Sequence, residues 1–259
     1  MDETATSAVA DKDLLVVSGL SAGYGGRTVI AGIDLAVAHG EILGLLGANG
    51  SGKSTLVKAI TGQLRPQMGT VAIDGINLAR EPERAKARFG LAIDVWDLPA
   101  SLSGWQYLDL VASLRSCASR DWPGGDLTAR LGLTQWLERP IEEYSLGTRS
   151  KIAVAAALLG SPPLLIFDES LNGLDPVAAW EVKTLLIELA ASKRHAIIVS
   201  THVMETVPSL CSRAVFLADG AIAKSWGAEA LVASTGEAGG FEARVMQALR
   251  NHVALRNVA

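Results

Sequence analysis

The stretch Ile42-Leu43-Gly44-Leu45-Leu46-Gly47-Ala48-Asn49-Gly50-Ser51-Gly52-Lys53-Ser54-Thr55-Leu56 constrains the fold of this chain more than any other. Ile42 to Leu46 is a short, uncharged apolar run that reads as a buried strand, and Leu56, Val57, Ala59 and Ile60 follow with helical spacing. A glycine-rich turn therefore joins a strand to a helix, and it carries the pattern G-x-x-x-x-G-K-[ST] from Gly47 to Ser54. Glycines without side chains let backbone N–H groups curl around a phosphate, and the new helix adds the positive end of its dipole. The cradle runs from Gly47 through Ala48, Asn49, Gly50, Ser51, Gly52, Lys53 and Ser54 to Thr55. Lys53 is placed to reach the β- and γ-phosphates, and the Ser54 hydroxyl to ligate Mg²⁺.

A chain of 259 residues suffices for one large α/β domain, or for one domain with a small lobe. Half the residues are apolar, yet no run of 18 uncharged apolar residues exists. The longest apolar segment, Ile152 to Phe167, is interrupted by Gly160-Ser161-Pro162-Pro163 and followed by two acids, so no membrane span is expected. The opening Met1-Asp2-Glu3-Thr4-Ala5-Thr6 is acidic and polar, unlike a secretory leader, and predicts a cytosolic location. Cys117 and Cys211 lack CxxC spacing and read as inert thiols. A net charge of −4 argues against a protein that coats nucleic acid.

Along the chain, residues 1–12 read as a loose tail. Leu14 to Val17 is a first strand, Gly23-Tyr24-Gly25-Gly26 a turn, Val29 to Val37 a second extended segment, and Gly69 to Gly75 a strand between glycine turns. These are expected to form short antiparallel strands beside a parallel core. From Glu81 to Arg139 the chain turns charge-rich and is expected to be a helical insertion, with a stripe at Leu102, Trp105, Leu108, Val111 and Ala112 and a second short helix over Leu127 to Leu133. Apolar runs return at Leu164 to Phe167 and Ala196 to Ser200, separated by a helix from Pro176 to Ser192; Ala214 to Ala223 reads as a hairpin around Asp219-Gly220. Residues 13–233 are thus expected to form one domain, with the insertion at about 81–140. Residues 234–259 hold a glycine-rich joint and a final helix, in which Phe241, Val245, Leu249 and Val253 recur every four residues and dock it on its own domain or a partner.

A second constellation narrows the chemistry. Leu164-Leu165-Ile166-Phe167 is expected to deliver Asp168 to the C-terminal edge of a parallel sheet, where ligands bind in open α/β folds. There Asp168 would sit in the Mg²⁺ shell, and the adjacent Glu169 would polarise a water for in-line attack on the γ-phosphate.

With these motifs in this order, the chain from about Leu14 to Lys224 resembles the ATP-binding subunits of ABC transporters, and within them the single-domain ATPases of bacterial ABC-2-type exporters. The resemblance implies a P-loop NTPase fold: a mixed β core, an antiparallel β subdomain and a helical insertion. Gly47 to Ser54 matches the Walker A loop, Leu164 to Asp168 the Walker B strand, and Glu169 the catalytic glutamate. Tyr24 stands where the family stacks an aromatic on adenine. Ser145-Leu146-Gly147 falls at the signature motif, Asn172 to Asp175 at the D-loop, Asp94 at the Q-loop position facing Mg²⁺ and water, and His202 at the switch histidine. The resemblance further implies ATP and Mg²⁺ as ligands, with Ser145 and Gly147 of one subunit closing over ATP held by a second ATPase subunit. It also implies a separate integral membrane subunit, docked through the insertion around Leu102 to Arg115, and a peripheral position on the cytoplasmic face of the membrane. No nucleic-acid partner is expected.

Four positions depart from the family pattern. Asp94 replaces Gln or Glu, Leu146 and Thr148 replace Gly and Gln of the signature, and Ser170 replaces the proline after the catalytic glutamate. The groups that touch phosphate are retained, which predicts an active ATPase, slowed where these departures weaken the site. The alternatives are a soluble clamp or assembly ATPase, or a regulatory subunit that binds ATP with little turnover.

Overall fold

The computed structural model describes residues 13–237 and 239–256, with side chains given up to Arg250. The expected tail at 1–12, and the side chains of Val253 and Arg256, lie outside the described residues.

The chain runs β1 (Asp13–Tyr24), β2 (Arg27–Ala38), β3 (Ile42–Leu46), α1 (Lys53–Ile60), β4 (Met68–Ile73), β5 (Ile76–Asn77), α2 (Pro82–Lys86), β6 (Phe89–Ala92), α3 (Gly104–Arg115), α4 (Leu127–Arg130), α5 (Leu146–Leu158), β7 (Leu164–Asp168), α6 (Pro176–Ala191), β8 (Ala196–Ser200), α7 (Val207–Leu210), β9 (Arg213–Ala218), β10 (Ala221–Gly227), α8 (Ala228–Ser234) and α9 (Gly240–Arg256). Two sheets result. An antiparallel sheet has the order β2-β1-β4-β5; the other has the order β10-β9-β3-β8-β7-β6, parallel throughout except for β10, which returns antiparallel on β9.

Residues of the central strands divide between two apolar cores. Leu164 and Ile166 face α1 and the antiparallel sheet, while Leu165 and Phe167 face α5, α6 and the insertion. Both faces of β7 are covered, which is why its sequence is continuously apolar rather than alternating. The same holds for Ile198 against Ile197 and Val199 in β8.

Strands β1 and β2 are longer than their apolar runs indicate, because Ser18 to Tyr24 continues β1 through irregular pairing, up to a tight turn at Gly25-Gly26 flanked by the Tyr24–Arg27 pair. The helical stretch expected from Glu81 contains a strand: β6 is the edge of the parallel sheet, paired with β7 from Phe89–Leu164 to Ala92–Phe167. The irregular and helical insertion therefore starts only after Ala92. Gly90 of β6 lies against α5, where a Cβ would come within 1.9 Å of the Ala157 carbonyl oxygen.

Helix α3 begins with a capping box in which Ser103 and Gln106 satisfy each other's backbone N–H groups. Its last residue, Arg115, donates to the carbonyls of Ala156, Ala157 and Leu159, satisfying the C-terminal end of α5 with a cation. Trp122 adds a bond from Nε1 to Ala155 O at 2.8 Å. The insertion and α5 share one core, which includes Leu108, Leu127, Leu133 and Ile152.

At the C-terminal end, α8 was not foreseen; Leu231 and Ser234 bury it. Helix α9 docks on its own domain through Phe241 and Val245, with Phe241 edge-on to Trp226 at 5.3 Å and Arg244 paired with Glu237. Both cysteines are free thiols, and burial pushes Cys211 up to about 12.

Candidate functional site

Strand β3 ends at Leu46 and releases Gly47 to Gly52 into a loop that α1 terminates. Gly52 has φ +107°, and a Cβ there would meet Ile30 Cγ2 of β2 at 2.6 Å, so backbone conformation and the neighbouring sheet both demand glycine. Lys53 opens α1 with 5% of its surface exposed. Its Nζ donates to Gly47 O at 2.8 Å and lies 3.4 Å from Ala48 O, the ammonium curling back over the loop that precedes it. Asn49, Gly50 and Ser54 are exposed on the loop surface, whereas Ser51 and Thr55 are buried.

Strand β7 pairs Asp168 with Ser200 at the end of β8, and the ladder extends one step further, with Glu169 N donating to Ser200 O at 3.0 Å. At that point Glu169 turns into a left-handed conformation with φ +56°. Its carboxylate swings toward the phosphate loop, where Oε1 lies 3.5 Å from Lys53 Nζ. Its Oε2 accepts from His202 Nδ1 at 2.6 Å. Nδ1 is thereby committed to the carboxylate, leaving Nε2 as the ring nitrogen free to face a ligand.

Besides a cavity of 280 Å³ that Asp94, Asp168, Glu169, Asn172 and His202 share with Leu146 and Ser150 of α5, two further cavities border this centre. One of 360 Å³ is lined by Gly47, Ala48, Asn49, Glu169 and His202, with Val245, Met246 and Leu249 of α9 as its far wall. The C-terminal helix thus forms part of the site's surroundings, which its sequence pattern did not indicate. The other, of 390 Å³, brings together Ser54, Asp94, Asp97 and Asp168. Asp168 Oδ1 is buried there without a hydrogen-bond partner. The buried, unsatisfied carboxylate oxygen of Asp168 and the Ser54 hydroxyl lining the same space are oxygen donors that suit a hard cation such as Mg²⁺, while no cluster of three acids able to hold a metal forms among the described residues. Asp97 was missed by sequence reasoning; its one signal was a second acid three residues after Asp94. Asp94 itself is exposed, and its Oδ1 accepts from Trp96 N at 3.0 Å, turning the carboxylate into its own loop.

The remaining motif residues lie off the phosphate loop itself, although Leu146 and Ser150 of α5 line a cavity with Asp168, Glu169 and His202. Ser145 caps α5, accepting from Thr148 N at 3.2 Å, with the Thr148 hydroxyl at 2.8 Å from its own. The helix therefore begins at Leu146, and the signature stretch forms its N-terminus, with Leu146 exposed and Gly147 half-buried. Neither Ser145 nor Gly147 borders the cavities that hold Lys53's loop. Asp175 caps α6 through Val177 N and Ala178 N, and its hydrogen bond from Lys151, ahead of the helix amides, lowers its carboxyl below the usual range. Tyr24 is half-exposed at its hairpin tip.

The ABC transporter family profile matches residues 30–172. The chain belongs to the ABC transporter family. It is similar to an uncharacterised ABC transporter ATP-binding protein, YdbJ, of Bacillus subtilis, with 34% identity over 81% of this chain and 68% of the relative. It is also similar to the fluoroquinolones export ATP-binding protein of Mycobacterium tuberculosis, with 32% identity over 86% of this chain and 73% of the relative. A solved ATP-binding subunit of an ABC transporter superposes with a TM-score of 0.82 at 29% identity, covering 91% of this chain and 99% of the other. As a member, the chain is an ATP-binding subunit and an ATPase.

Proposed function

We propose that this ABC ATPase drives an export transporter through closure of a head-to-tail pair of ATPase subunits, with Glu169 as the base that activates water. The observation that carries the reading is the convergence of Lys53, Asp168, Glu169 and His202 from three separate loops at the C-terminal edge of β3, β7 and β8. Backbone N–H groups from Gly47 to Thr55 and the start of α1 bind the β- and γ-phosphates, and Lys53 leaves Gly47 O for phosphate oxygens. Ser54 and Asp168 would hold Mg²⁺, with Asp94 lining the same cavity, and the ion would supply positive charge against that developing on the phosphates. Glu169 accepts the proton of the attacking water, and His202 presents Nε2 to the γ-phosphate.

Tyr24, exposed at its hairpin tip, stacks on adenine. Ser145 and Gly147, at a free helix N-terminus away from their own phosphate loop, reach the nucleotide of a second subunit, with Asp175 at the same interface. Binding energy then favours the closed pair, and hydrolysis with phosphate release reopens it.

No helix among the described residues is long and apolar enough to cross a membrane. A separate integral membrane subunit supplies the path, and the ATPase sits on its cytoplasmic side. Trp96, Leu110 and Leu114 in and beside the insertion are exposed and provide apolar surface for that docking. Trp105 is partly buried against the core, with the Arg120 guanidinium 4.2 Å above its ring. Export as the direction follows the M. tuberculosis relative's name.

The test is affinity purification of the tagged chain, expressed at native level and solubilised in detergent, with companions identified by mass spectrometry. A stoichiometric polytopic membrane protein is expected. Recovery from the soluble fraction, alone or with soluble companions, overturns the transporter assignment in favour of a clamp or assembly ATPase.

A further inference from the structure

The carboxylate of Glu169 has a third neighbour besides Lys53 and His202. Asn172 Nδ2 donates to Glu169 Oε2 at 3.1 Å, and Asn172 Oδ1 accepts from Thr201 Oγ1 at 3.1 Å. This pairing fixes the amide orientation, because the reverse would set an amide oxygen against a carboxylate oxygen. The 3.4 Å approach of Asn172 Nδ2 to His202 Nδ1 is a proximity of two donors, both directed at Oε2. Thr201 Oγ1 also accepts from Val203 N at 3.0 Å, so its hydrogen points to Asn172.

We propose that Asn172 is a positioning residue for hydrolysis: it holds Glu169 by Oε2, so that Oε1 is the oxygen that takes the proton of the attacking water, and it ties the loop after β7 to the loop after β8. The inference rests on Glu169 acting as the base. A glutamate carboxylate has three rotatable bonds, and without a fixed donor its oxygens exchange places. Oε2 carries two hydrogen bonds, whereas Oε1 faces only the ammonium of Lys53 at 3.5 Å. Phosphate drawing Lys53 away leaves Oε1 as the oxygen with no donor. The resemblance assigns Asn172 only to the D-loop segment; here its side chain serves its own subunit's carboxylate.

The test compares Asn172→Ala, Asn172→Ser and Asn172→Asp in the full chain, measuring kcat and KM for ATP together with the affinity for a non-hydrolysable ATP analogue. Asn172→Ala lowers kcat by about tenfold while analogue affinity stays within about twofold. Asn172→Ser restores part of the rate, because its hydroxyl donates. Asn172→Asp keeps the shape and the acceptor for Thr201 but sets an anion against Glu169, and falls below Asn172→Ala. Thr201→Val shows a smaller loss of kcat in the same direction. Wild-type kcat in Asn172→Ala, or Asn172→Asp equal to or faster than Asn172→Ala, overturns the proposal. Should Asn172→Ala fail to fold, the order of Asn172→Ser above Asn172→Asp decides it. Glu169→Gln separates the two claims. If it hydrolyses ATP at the wild-type rate, the base assignment falls and this inference with it. If it is inactive while every Asn172 variant matches wild type, this inference alone falls.

Discussion

Lys53 Nζ stands between the carbonyl oxygen of Gly47, at 2.8 Å, and Glu169 Oε1, at 3.5 Å, so one ammonium links the phosphate loop to the proposed base. The lysine is nearly buried, and its charge is compensated within the protein. Phosphate oxygens arriving at the loop compete for the same donor and offer more negative charge. In the proposed reading, nucleotide binding and release of the Glu169 carboxylate are one event.

Lys53→Ala removes that ammonium from both partners. The account predicts loss of ATP binding as well as turnover, with affinity for ATP falling by about a hundredfold or more. Calorimetric titration with ATP checks it, and unchanged affinity contradicts the cradle assignment.

Gly90→Ala tests how the phosphate-binding core is held against α5. The added Cβ would fall 1.9 Å from Ala157 O, a backbone atom that moves only with its helix. The expected cost is at least about 2 kcal/mol of stability, with β6 displaced from the sheet edge. Urea unfolding reads it as a lower midpoint at unchanged slope; an unaltered midpoint contradicts the packing.

Asp126 caps α4, and the hydrogen bond from the Thr128 hydroxyl, ahead of the backbone amides, holds its carboxyl below the usual range. A lowered carboxyl contributes stability above its unfolded value near 3.8, and the contribution is lost as pH falls through the lower folded value. Asp126→Ala is therefore expected to cost about 1 kcal/mol at neutral pH. The gap from wild type closes as pH falls below the folded value. Thermal melts of both proteins across pH check the prediction.

Much of the fold was legible because β3, β7 and β8 are covered on both faces and spell continuous apolar runs. The phosphate loop was legible because its glycine spacing is dictated by backbone geometry. Strand β6 was hidden: Phe89-Gly90-Leu91-Ala92 is four residues long, flanked by charges, and held at a sheet edge by pairing that sequence does not display. Helix α8 was hidden because Ala228-Glu229-Ala230-Leu231-Val232-Ala233-Ser234 has no wide apolar stripe. Within the site, Asp168 and Glu169 were legible as acids ending a buried apolar strand, and His202 only from motif order. The part played by Asn172 depends on the left-handed turn at Glu169, a backbone property that no spacing rule reports.

The most direct test of the central claim is Glu169→Gln in the presence of Mg²⁺ and ATP, followed by light scattering on a sizing column. The account predicts a variant that binds ATP, does not hydrolyse it, and elutes as a stable dimer only when ATP is present. Hydrolysis at the wild-type rate, or a chain that stays monomeric with ATP bound, would contradict it.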